Sequence, residues 1–314
     1  MMNFGLAIFR SIHIGSSILL AAVFAFRLIY LSPISSSELS SDSASRSRTE
    51  KLLKRVAIGS WVLLLCSGIG WLWIVAASID DGQVFEASPL PILETILTQT
   101  AFGHLWLVRG LLALCVGVFI ITPGSRWAGL GLAIPLEVSL TGASHSWANA
   151  SAAGVFGSAF DAGHLLVSVL WPGCLLPLFI FLAVYRDAIT NQSREVVARV
   201  LLRFSNISLA AVTILGATGL LNALNLVGSL RALIFSFYGQ ILLLKIGLFL
   251  GMTGFGAWNY FILKPRIVLD LRNSRREKKN VNYRKLMRNV MCESILFGGV
   301  LLIVGFLGAT APPG

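Results

Sequence analysis

Apolar residues in this chain come in long unbroken runs, at about 4–31, 56–78, 104–122, 127–142, 160–184, 205–227, 238–262 and 292–310. The runs are continuous, so a strand, which would alternate polar and apolar positions, does not fit. Most of them also lack the polar face that a soluble amphipathic helix keeps for water. Each run is close to the ~20 residues needed to cross a bilayer core, with 127–142 the shortest. The pattern predicts an all-α integral membrane protein, a bundle of eight transmembrane helices forming a single domain over residues 1–314. No basic stretch precedes the first run and no small-residue cleavage site follows it, so it is expected to stay as a span and not to be cleaved as a signal. Two polar interruptions stand out. A Ser-rich stretch at about 32–50 reads as a disordered loop, and a second loop at about 263–291 is strongly basic. The segment "SPLPILETILTQTAFG" reads as a short amphipathic helix lying on the membrane interface.

Composition agrees with this picture, and charge gives it a direction. The chain is 56% hydrophobic and 12% charged, where a soluble domain carries about 25% charge. Of its 25 Lys and Arg residues, most fall in alternate loops: Arg46 to Arg55, Arg126, Arg186 to Arg203, and Lys264 to Arg288. The intervening loops hold only Arg231. The positive-inside rule then puts the basic loops in the cytoplasm and both chain ends outside. The net charge of +11 is thus an insertion signal and a contact for lipid headgroups, not a nucleic-acid footprint. The four cysteines stand singly, without a C-x-x-C. There is no phosphate-binding loop, dinucleotide turn, H-E-x-x-H or nucleophile triad. Neither an enzyme nor an ATP-driven pump is expected.

The candidate chemistry lies in the histidines. With this topology all four fall in the outer half: His13 ~14 Å below the outer start of the first span, His104 at the start of the third, His145 just after the fourth, and His164 ~6 Å inside the fifth. A polar imidazole in hydrocarbon needs a partner or a cavity, and neutral imidazole suits copper, zinc and iron. His13, His145 and His164 are therefore candidate metal ligands, with His104 a weaker fourth. Asp161 precedes His164 by three residues, on the same helix face, where it can orient the imidazole from behind. Arg109, Lys245 and Glu137 are intramembrane charges that either line a pathway or pair structurally. Cys174, with Cys66 and Cys115, reads either as a soft stepping site for Cu(I) or as an apolar packer. These features fit a metal permease, a haem-holding electron-transfer protein with two axial histidines, or a membrane assembly factor that binds no metal.

Three segments narrow the choice: "FRSIHIGSSILLAAVFAFRL", the pair "TGASHS" with "DAGHLLVSVLWPGCLLPL", and "YGQILLLKIGLFLGMTGFGAWNYFILKPRI". Together, with a weaker match at "FGHLWLVRG" through Arg109, they resemble the copper resistance protein D family of bacterial inner-membrane copper transporters. Ser144 and Pro172 depart from the family pattern, and His104 has no counterpart in it. The resemblance implies movement of copper, as Cu(I) or Cu(II), across the cytoplasmic membrane, with uptake favoured. It also implies a role in copper homeostasis and a periplasmic partner of the copper resistance protein C type. His13, His145 and His164 stand at the family's histidine positions.

Overall fold

The computed structural model describes residues 2–32, 43–79, 90–122, 126–143, 152–186, 191–272 and 276–310, and every regular element among them is helical. Helix α1 (Met2–Ala25) continues through a π-helical turn, Phe26–Leu31. It is followed by α2 (Ser43–Ile79), α3 (Leu90–Gln99), α4 (Ala101–Ile121) and α5 (Arg126–Val138). Next come α6 (Ala152–Leu170), α7 (Leu175–Tyr185), α8 (Asn191–Val227) and the short α9 (Leu230–Phe235). Helix α10 (Phe237–Trp258) also ends in a π-helical turn, Asn259–Leu263, before α11 (Lys264–Arg272) and α12 (Arg276–Leu307).

Local chemistry sets several boundaries. Thr100, Ser229 and Ser236 cap α4, α9 and α10, their hydroxyls accepting from the amides of Gly103, Ala232 and Gly239 at 3.0, 3.1 and 3.0 Å. Gly228, with φ +67°, lets the chain turn out of α8 in a conformation other residues resist. The expected amphipathic segment forms α3, with Pro91 in its first turn, where its missing N–H costs nothing. Helix α2 begins at Ser43, inside the stretch expected to be loop; Thr49 is buried there, and Glu50 pairs with Arg27, in the π-helical turn after α1, at 2.7 Å. The basic stretch is likewise partly helical, forming α11 and the start of α12.

Seven helices among the described residues are long and apolar enough to cross a membrane: Phe4–Leu31, Ser43–Ile79, Ala101–Ile121, Gly157–Tyr185, Arg194–Leu224, Phe237–Leu269 and Val281–Leu307. The expected span at 127–142 is instead the 13-residue α5 followed by a 3₁₀ turn, Ser139–Ala143. Pro135 lies inside α5, where it removes an amide donor and loosens the helix just before the turn. The fifth expected span is interrupted by a turn at Trp171–Cys174, where Pro172 again removes a donor.

Helix α1 occupies the middle of the bundle, packed against α2, α5, α6 and α12. Its apolar window is 72% buried, against 11% for the span containing α10, which faces outward along most of its length. Small residues allow the closest crossings. A Cβ on Gly173 would sit 2.8 Å from Ile18 Cγ2, and one on Gly305 would collide with the Ala7 carbonyl oxygen and Ser11 Oγ.

Candidate functional site

The central helix brings a neutral imidazole together with an intramembrane charge on its polar face. His13 is 5% exposed and Arg109, from α4, is 3% exposed. Arg109 Nη2 lies 2.9 Å from His13 Nε2, while Nη1 donates to the Leu136 carbonyl and to Ser139 Oγ, both at 2.7 Å. A guanidinium can only donate, so His13 Nε2 accepts and Nδ1 carries the proton. That proton faces the Leu64 carbonyl at 3.1 Å. Both ring nitrogens of His13 are thus engaged. Trp106 stacks on the imidazole with ring centroids 5.4 Å apart, and Trp71 meets it edge-on at 5.6 Å. One turn along α1, Ser17 Oγ donates to Glu137 Oε1 at 2.5 Å. Glu137 is fully buried.

His164 sits elsewhere, on the wall of a cavity of about 290 Å³ between α1, α6, α8, α10 and α12. Its Nδ1 lies 2.8 Å from Thr218 Oγ1, whose hydroxyl also lies 2.7 Å from the Ile214 carbonyl. A carbonyl can only accept, so the single threonine proton goes to Ile214 and His164 Nδ1–H donates to the threonine oxygen. This leaves Nε2 as a lone-pair donor. Asp161 lines the same cavity and accepts from Asn222 Nδ2 at 2.8 Å. Lys245, Tyr238 and Arg10 complete its polar wall.

The remaining candidates are dispersed. His104 is exposed, and its Nε2 lies 3.0 Å from the Thr98 carbonyl. Cys174 is buried, with its thiol 3.6 Å from the Ala22 carbonyl, a packing arrangement. Cys66 is exposed and Cys115 half-buried. His145 lies outside the described residues. Among the described residues, no three His, Cys, Asp or Glu side chains gather into a group that could hold a metal ion.

A third polar site was not anticipated from the sequence. Glu293 of α12 is 2% exposed and accepts from Asn259 Nδ2 at 2.7 Å; Trp171 also hydrogen-bonds to its carboxylate. Asn289 Nδ2 donates to Asn259 Oδ1 at 2.9 Å. Glu293, Asn259 and Trp171 line a second cavity, of about 110 Å³. Asn259 lies 14 residues beyond Lys245, so these two side chains, one from each cavity, stand roughly 21 Å apart along the helix. The available signals were an acid inside the last apolar run and an asparagine at the end of the seventh.

Long apolar helices enclosing buried polar side chains define a multi-pass membrane protein. The chain belongs to the copper resistance protein D family: the copper resistance protein D-like N-terminal domain matches residues 1–155, and copper resistance protein D matches residues 198–307. It is 28% identical to Copper resistance protein D of Pseudomonas syringae pv. tomato over 267 residues, covering 79% of this chain and 80% of that one. Inner membrane protein YebZ of Escherichia coli K12 is also 28% identical, over 83% of this chain and 85% of its own. Copper transport protein CutJ of Bacillus subtilis matches at 28% over 59% of this chain and 34% of its own. No solved structure matches the chain.

Proposed function

We propose that the chain carries copper inward across the bacterial cytoplasmic membrane, from an imidazole site at the outer face, without chemical conversion of a substrate. In this reading residues 126–143 complete eight spans in one domain, both chain ends lie outside, and the basic loops contact anionic lipid in the cytoplasm. The observation that carries the reading is His164. Its Nδ1 is tied to Thr218, so Nε2 is aimed as a ligand, the arrangement metal-binding histidines use to fix their tautomer. His145, on the segment before α6, supplies the second imidazole, and Asp161 contributes negative charge behind them. His13 joins when Arg109 withdraws from its Nε2. The ion, as Cu(I) or Cu(II), then passes the helix break at Pro172 and Gly173, beside Trp171, towards the Glu293 cavity. A periplasmic protein of the copper resistance protein C type loads the outer site.

The bis-histidine haem reading finds little support, because His13 Nε2 already accepts from Arg109 and His164 lies on a different wall. The test is copper content and absorption of the purified protein after copper loading, beside His164→Ala, His145→Ala and His13→Ala. Copper bound by the parent, lost in the first two variants and retained in the third is the expected result. Copper retained by His164→Ala, or a Soret band in the parent, overturns the reading.

A further inference from the structure

The His164 cavity is an unusual receptacle for a bare cation. Its wall carries Arg10 and Lys245 against a single carboxylate, Asp161, which already accepts from Asn222. Lys245 is near enough to His164 for its charge to act there, so a lone copper ion at Nε2 would meet it directly. The donors also outnumber their protein partners. Arg10 Nε is buried without a hydrogen-bond partner, while its guanidinium lies over the Trp71 ring at 4.5 Å. Lys245 has Asp161 as its charge partner across the cavity, so one carboxylate faces two cations. A buried donor such as Arg10 Nε is normally satisfied, so the cavity is short of an acceptor. The volume of about 290 Å³ is many times the ~10–15 Å³ that a single water needs, which is room for a small organic molecule as well as an ion.

We infer that this cavity accepts copper as an anionic complex with a small organic carboxylate. The inference rests on the copper reading above. Carboxylate oxygens of the complex take the donors of Arg10 and Lys245, and His164 Nε2 fills an open position on the metal. The charge that opposes a bare ion then favours the complex, and the same two side chains select against uncomplexed copper. Arg10 contributes a permanent charge, since a guanidinium does not lose its proton in proteins.

The test uses the full-length protein purified in detergent and loaded in parallel with Cu(II)–[14C]citrate or with Cu(II) nitrate in a non-coordinating buffer. Copper and 14C are counted after desalting. Copper and citrate retained together at about one to one, with citrate retention falling at least tenfold in Lys245→Met and preserved in Lys245→Arg, supports the inference. Arg10→Lys provides a second variant if Lys245→Met does not fold, with a smaller loss expected. Copper retained from both sources without citrate overturns the inference and leaves the copper reading standing. Citrate retained without copper overturns both and leaves an anion site. Retention of neither overturns both outright.

Discussion

The bond between His13 and Arg109 yields a quantitative test of the buried network. Arg109→Met deletes the donor to His13 Nε2, 2.9 Å away, and leaves that lone pair buried against Trp71 and Trp106. The Leu136 carbonyl is less affected, because Ser139 Oγ still donates to it at 2.7 Å. His13→Leu does the reverse, stranding part of a guanidinium that is 3% exposed. Each single change leaves one unsatisfied partner, at about 1–3 kcal/mol for the imidazole and more for the charge. The double variant leaves neither, so the two effects must not add. Interhelical hydrogen bonds in membranes show coupling energies averaging ~0.6 kcal/mol with a maximum near ~1.7. A charge-assisted bond between groups this deeply buried belongs near the top, at about 1.5 kcal/mol. Unfolding in mixed SDS micelles, followed by tryptophan fluorescence, reads the four proteins of the cycle, and Trp71 and Trp106 report on the site itself. Additivity to within ~0.5 kcal/mol would show that the two side chains are neighbours without a shared bond, and the tautomer assigned to His13 would lose its basis.

Other expectations follow from single contacts. Thr218→Val removes the acceptor that fixes His164 Nδ1–H; copper affinity measured by chelator competition should fall about 10–100-fold, and an unchanged affinity would detach Thr218 from the site. Glu293→Gln keeps an acceptor for Asn259 Nδ2 whereas Glu293→Leu does not, so the Leu variant should be the less stable by about 1–3 kcal/mol in the same micelle assay, and equal stability would count against the network. Gly305→Leu places a side chain against the Ala7 carbonyl and Ser11 and should cost about 1–3 kcal/mol, separating α1 from α12; a wild-type midpoint would contradict that crossing.

The spans were legible because a membrane helix needs only length and apolarity, which one run of sequence displays in full. The segment at 127–142 shows the limit of that reading: its composition is apolar enough, but Pro135 shortens the α-helix and the chain continues as a 3₁₀ turn. The start of α2 was hidden for the opposite reason, since Ser43 to Glu50 look like a polar loop until Arg27 and the buried Thr49 are placed beside them. In the site, the separate histidines were visible as residue types, and His13 as an imidazole that needs a partner. Which atom of His13 meets Arg109 depends on how α1 and α4 rotate against one another, and local sequence does not encode that. Glu293 escaped notice, and Asn259 entered only within the third family-like segment, because each is a single polar residue 34 positions from the other; only the helix packing makes them a pair.

The central position of α1 also bears on biogenesis. Ser11 Oγ reaches the Leu302 carbonyl of α12 across 291 residues of chain. At the ~5–20 residues per second of protein synthesis, that partner emerges roughly 15–60 s after the first helix. Throughout that interval Ser11, His13, Ser16 and Ser17, all buried in the finished protein, sit in a helix whose last neighbour does not yet exist. The newborn α1 must therefore wait beside the insertion machinery or beside α2. A ribosome stalled before α12 would leave the Ser11 side of α1 open to lipid, while His13 and Ser17 already have partners in α2, α4 and α5.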